Sequence, residues 1–208
     1  MGNRAVITTK ENFENNGVGV YLHWNGGYDS VSAFLKYCEI KGYRTPDTDN
    51  YGWARLCQVI GNFFGGSTSI GIDTVDKLDC DNYDNGVYII EGWKIVDRKY
   101  HNYAEQMNYK LEDMLMDIDK SMPKKEQIGE YLKAKEILTN EVKVGDTVFV
   151  QEYGGNFVKY KVMGFGEDKF VNGTKVAGMP YVDKYGNNGD YSHNINNYIH
   201  TKTVRVVE

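Results

Sequence analysis

Basic charge is not in excess in this 208-residue chain: 24 Lys and Arg stand against 29 Asp and Glu, a formal net charge of -5, and the isoelectric point is near 5.5. General nucleic-acid binding needs clustered cations that release counterions from phosphates, so this balance argues against it and leaves room only for a local basic pocket. Cysteine is scarce as well. Cys38, Cys57 and Cys80 form an odd, widely spaced set without a CxxC pair, which suggests neither a disulfide framework nor a thiolate zinc site and fits a reducing cytoplasm. No stretch approaches the ~18 apolar residues of a membrane span, and "MGNRAVITTKENF" lacks the apolar segment of a signal peptide, so a protein soluble where it is made is expected. Neither GxSxG nor GxxxxGK[ST] occurs, which removes the serine-hydrolase elbow and the phosphate loop of P-loop nucleotidases.

What is present is a composition that folds: 41% hydrophobic and 25% charged, enough for one large domain or two small ones. Aromatics are plentiful, with 17 Tyr against 3 Pro, and tyrosine serves both β-rich folds and flat ligands. "RAVITT" and "GVGVYLHW" carry β-branched and aromatic residues bounded by Asn and Gly, and predict two strands joined by a loop, "KENFENN". A helix follows, with Asp29 or Ser30 as N-cap and Val31, Phe34, Leu35 and Cys38 as its apolar stripe. A second helix is predicted over 51–64, with Leu56, Val59, Ile60 and Phe63 on one face and Arg55, Gln58 and Asn62 on its flank. "SIGIDTV" reads as a strand, and "GVYIIEGWKIVDRKY" as a hairpin turning at Glu91-Gly92.

The fold class predicted is α+β: residues 1–105 as a mixed or antiparallel sheet with two packed helices, 106–140 as a helical connector, and 141–208 as a small SH3-like β-barrel. The connector holds the periodic "MNYKLEDMLMDID" and a further helix from "PKKEQIGEYLKAKEIL"; the boundary is placed at 139–141, where short Gly-punctuated alternating runs begin. The Asn-rich "YGNNGDYSHNINNYIHTK" is expected to be a long exposed loop before a last strand, "TVRVVE".

Chemistry is sought first in "YLHWNGGYDS". A strand running through two glycines into a helix points free N–H groups and the positive end of the helix dipole at the turn, where a phosphate or carboxylate can approach. His23, Trp24, Asn25, Gly26, Gly27 and Tyr28 form this candidate site, with Trp24 or Trp53 to stack on a base and Arg55 and Asn62 to supply polar contacts. A purely mechanical turn, with glycine supplying positive φ, stays open beside it. Cys57 with His23 is a second candidate, as an acyl-transfer nucleophile and base, against the reading of Cys57 as a small core hydrophobe. "DTVDKLDCDNYDNG" is rich in Asp but fails the EF-hand register and reads as an acidic loop. His193 and His200 lack the spacing of a metal pair, so no metal, cofactor or catalytic residue is assigned.

The strings "GNRAVIT", "GVYLHWNGGYDSVSAFLKYC", "YGWARLCQVIGNFFGG" and "DNGVYIIEGWKIVDR" together resemble a group of small uncharacterised proteins of Firmicutes bacteriophages and mobile elements, over about residues 1–120. That group carries no assigned activity. Its phage setting implies an accessory protein in the cytoplasm of the bacterial host that interferes with defence, either by sequestering a nucleotide-derived immune signal or by docking on a host defence protein. The expected partners are thus a small nucleotide-derived ligand or a host protein, not nucleic acid or membrane. A homo-oligomer is expected as well.

Overall fold

The computed structural model describes residues 2–66, 69–101, 107–151, 155–165, 169–171, 174–176, 180–184 and 202–207. The chain divides into two compact units, Met1–Gln127 and Ile128–Glu208. The first contains β1 (Ala5–Thr9), α1 (Lys10–Glu14), β2 (Val18–Leu22), α2 (Tyr28–Ile40), α3 (Asn50–Phe63), β3 (Ile70–Thr74), β4 (Val87–Glu91), β5 (Lys94–Lys99) and α4 (Leu111–Ser121). Its sheet has the order β3-β2-β1-β4-β5. The pairing is mixed, because β1 runs antiparallel to β2 and parallel to β4.

Strand alternation sorts this unit's side chains between two faces. Val6, Val87 and Ile89 cluster on one face with Phe13, Tyr21, Leu78 and Cys80. Three helices pack on one another through the stripes read from sequence: Val31, Phe34, Leu35 and Cys38 of α2, Leu56, Val59 and Ile60 of α3, and Met114, Leu115 and Ile118 of α4 are buried. Two polar ties hold this layer. The buried Tyr37 hydroxyl donates to Oδ1 of buried Asp119 at 2.8 Å. Lys41, 2% exposed, donates Nζ to the Glu126 carbonyl at 2.9 Å and meets its carboxylate at 3.4 Å.

The second unit holds α5 (Gly129–Lys133), β6 (Lys135–Leu138), β7 (Thr147–Gln151), β8 (Phe157–Phe165), β9 (Lys169–Val171), β10 (Thr174–Val176), β11 (Pro180–Lys184) and β12 (Thr203–Val206). Its main sheet has the order β11-β8-β7-β12-β6, and β9 and β10 form a separate ribbon. Val142, Val148, Tyr160, Val162 and Val204 make its core. Arg205 Nη1 donates to the carbonyls of Tyr131, Leu132 and Ala134, at 3.3, 2.9 and 3.0 Å, and so occupies acceptors at the C-terminal end of α5.

The α+β class is seen, with differences in detail. "KENFE" is a one-turn helix, not a loop, because the Thr9 side chain caps it by accepting the Asn12 N–H. α2 starts at Tyr28 with Gly27 as its cap, ahead of Asp29 and Ser30. The compact units divide at Gln127/Ile128 and not at 139–141, since α4 packs on α2 and α3 while β6 pairs with β12. "KEIL", expected to be helical, is that strand: Ile137 stands opposite Val204 and packs on the second core. No barrel closure is found among the described residues, where the five-stranded sheet is open. The Asn-rich segment with His193 and His200 lies outside the described residues.

Candidate functional site

The N-terminus of α3 is built by Asp49. Its Oδ1 accepts the Tyr51 N–H at 2.8 Å, capping the helix, and its Oδ2 accepts from Arg44 Nη1 at 2.6 Å. The Arg44 hydrogen bond, then the Tyr51 N–H, lowers the Asp49 pKa below the usual carboxylate range. Gly52 lets the preceding loop lie directly on the helix, since a Cβ there would come within 2.5 Å of Pro46 N and Thr45 C. The turn of chain so placed becomes a wall.

Between that wall, α3 and the β2–β3 end of the sheet opens a cleft of about 480 Å³. Val18, Val20, Ile72, Pro46, Ala54 and the Trp53 ring give it apolar sides, while Asn12, Thr48, Asp49 and Asn50 add polar groups. Such a lining suits a flat, partly apolar molecule that stacks on an indole and pairs its edge with amides and hydroxyls. Cys57 also lines it. Burial pushes this half-buried thiol up to about 11, so at neutral pH it is protonated and a poor nucleophile.

Cys57 and His23 do not form a pair. Val18 and Val20 face the cleft with Cys57, whereas Tyr21, one residue out of phase, packs in the Val6 cluster on the other face. His23 follows Tyr21: its Nδ1 lies 3.2 Å from the Tyr21 hydroxyl. Cys38 is fully buried, and burial raises its pKa strongly.

The residues singled out from sequence fall in three places. His23 to Tyr28 form one segment, with the His23 and Trp24 rings edge-on at 4.9 Å and the Tyr28 ring 6.4 Å from Tyr88. Here the polar groups of Gly26 are engaged by the fold: its N–H donates to the Asn3 carbonyl at 2.7 Å, and its carbonyl accepts the Tyr88 hydroxyl at 2.9 Å, while the Gly27 carbonyl accepts the Val31 N–H at 3.0 Å. Asp29 places a carboxylate at the start of α2, accepting the N–H groups of Ser30, Asn108 and Tyr109. Trp53 lies in the cleft. Arg55 and Asn62 share another flank of α3, where Arg55 donates to Gln58 at 2.7 Å with its Cζ 4.9 Å from the Tyr43 ring centroid, and Asn62 Nδ2 lies 3.3 Å from Met122 Sδ.

Sequence reading passed over Asn12, Asn50 and Ile72. Asn12 falls in a segment that reads as a loop, Asn50 just ahead of a predicted helix and Ile72 in a strand, and only the tertiary fold places them around one hollow. The acidic loop has a structural part: Arg4 Nε meets Asp84 Oδ2 at 2.7 Å and Nη1 meets Asp79 at 3.3 Å, while Asn82 and Asn85 are buried within the loop. Among the described residues no group of three or more His, Cys, Asp or Glu is placed to hold a metal ion, and no helix is long and apolar enough to cross a membrane. No family model, curated protein or solved structure matches the chain.

Proposed function

We propose that the protein is a phage anti-defence binding protein that sequesters a nucleotide-derived host immune signal without turning it over, and that the base of this ligand lies in the α3–β2–β3 cleft. The observation that carries the reading is the cleft itself: an indole, aliphatic walls and neutral amides converge on a volume of about 480 Å³. A nucleobase matches this chemistry, with a π face for Trp53 and an edge of donors and acceptors for Asn12, Thr48 and Asn50. Arg44, held at Asp49 beside α3, offers a guanidinium near the cleft to an attached phosphate. This reading keeps Trp53 from the residues expected on sequence grounds and leaves His23, Trp24 and the double glycine to the fold.

The purified protein is incubated with lysate from bacteria whose nucleotide-signalling defences are active, washed and heat-denatured, and the released material is identified by mass spectrometry. An intact nucleotide is expected. Base–aromatic stacking is worth ~1–3 kcal/mol, so Trp53→Ala should weaken binding of that nucleotide by roughly tenfold or more, while Trp24→Ala leaves it unchanged. Full retention by Trp53→Ala rules out the cleft as its site. A second reading, in which the C-terminal unit is an SH3-like module docking on a host defence protein, is favoured by the exposed Leu138, Val144 and Phe165. A host protein retained in place of a nucleotide supports it.

A further inference from the structure

The two edges of the N-terminal sheet differ. β5 is guarded in the usual way, with Lys94, Asp97, Arg98 and Lys99 along it and an ion pair of 2.6 Å between Lys99 and Asp97. β3, at the other edge, reads Ile-Gly-Ile-Asp-Thr, with neither lysine nor proline, and leaves Ile72 57% exposed. The backbone groups facing away from β2 follow from the register. His23 N–H donates to Ser69 O and Val75 N–H to Gly17 O, so in an antiparallel pair the odd-numbered residues of β3 bond to β2 and the even-numbered ones face outward. Ile70 and Ile72 thus direct both their N–H and C=O groups away from the sheet, whereas Thr74 N–H is taken by Asp73 Oδ1 at 2.8 Å.

We infer that this edge pairs with the same edge of a second copy of the chain, β3 antiparallel to β3 about a two-fold axis through Ile72. An outward-facing residue on the axis exchanges N–H···O=C bonds with its own counterpart, and Ile70 then stands opposite Thr74 of the other copy. The side chains agree with this register. Gly71 falls opposite Asp73, so no like charges meet across the axis and the carboxylate has space, while Ile72 lies against Ile72. Asp73 is already neutralised within its own copy by Lys77 at 3.3 Å. Because Ile72 also lines the cleft, the second copy extends the cleft floor with its own Ile72 and Ile70, and the ligand site becomes shared between two chains.

The mass of the full chain in solution tests this by light scattering after gel filtration. Twice the 23.7 kDa of one chain is expected. Ile72→Lys puts a natural edge guard on β3 and should return the monomer with unchanged circular dichroism, while Val96→Lys on β5 leaves the dimer intact. A second variant stands apart from any effect of Ile72→Lys on folding: Ile72→Cys should cross-link to itself under oxidised glutathione, since Cα atoms of a directly bonded antiparallel pair are ~5.5 Å apart, within disulfide reach. A monomeric wild-type chain, a dimer that survives Ile72→Lys, or an Ile72→Cys variant that cross-links no more than the wild type would each overturn the interface.

Discussion

Asn25, not a glycine, takes the left-handed conformation in "HWNGGY", with φ of 54°, while Gly27 has an ordinary φ of -64°. Asn tolerates that region because its side chain is short and polar. Gly26 is needed for space: a Cβ there would stand 2.7 Å from Arg4 C and Asn3 O and 2.8 Å from Ala5 Cβ. The contact is with the backbone leading into β1, the central strand of the sheet, so it cannot be relieved by a rotamer change. Gly26→Ala should cost ~1–3 kcal/mol as overpacking, read as a lower denaturation midpoint. Gly61 in α3 has open space where its Cβ would stand, and Gly61→Ala should stabilise by ~0.5–1 kcal/mol through helix propensity. A Gly26→Ala variant as stable as the wild type would mean that the backbone leading into β1 gives way and that the close approach does not require glycine.

At the scale of elements, α2 and α4 are joined at the buried Tyr37–Asp119 hydrogen bond of 2.8 Å. A hydrogen bond to a charged group contributes ~1.5–3 kcal/mol, so Tyr37→Phe should lower stability by that order with little change in helical signal; a cost below ~0.5 kcal/mol would show that Asp119 draws its support from elsewhere. Helices α2, α3 and α4 were legible because each repeats its apolar residues at helical spacing, as Val31, Phe34, Leu35 and Cys38 do. Strands β1 to β5 were legible from β-branched runs between turn residues. The parallel pairing of β1 with β4 was not, since it joins segments separated by three helices and two strands. "KEIL" misled because Lys and Glu favour helix locally, while Ile137 gains more by standing opposite Val204. Of the cleft, Trp53 and Cys57 stood out in the sequence; Val18, Val20 and Ile72 look like any strand residues until the sheet order sets them beside α3.

At the scale of the whole molecule, the N-terminal unit buries groups that ionise in alkali. Burial is the leading cause that raises Cys57 from 9.0 to about 11 and Tyr43 from 10.0 to about 12, and it raises Cys38 and Tyr37 as well. A raised pKa means that the folded chain holds its protons more tightly than the unfolded one, so these groups favour the fold fully below the unfolded values and progressively less as pH climbs through the folded ones. The melting temperature should therefore be flat through neutral pH and fall between about pH 9 and pH 12. Trp24, Trp53 and Trp93 all lie in the N-terminal unit, so indole fluorescence follows the unit that carries the effect. Cys57→Ser replaces a titrating thiol by a hydroxyl that stays neutral, and should make the alkaline fall shallower without moving the neutral plateau by the same amount. An alkaline limb identical in wild type and Cys57→Ser would assign the loss to the phenols and to Cys38, and would mean that the cleft-facing thiol is hydrated enough to ionise alike in both states.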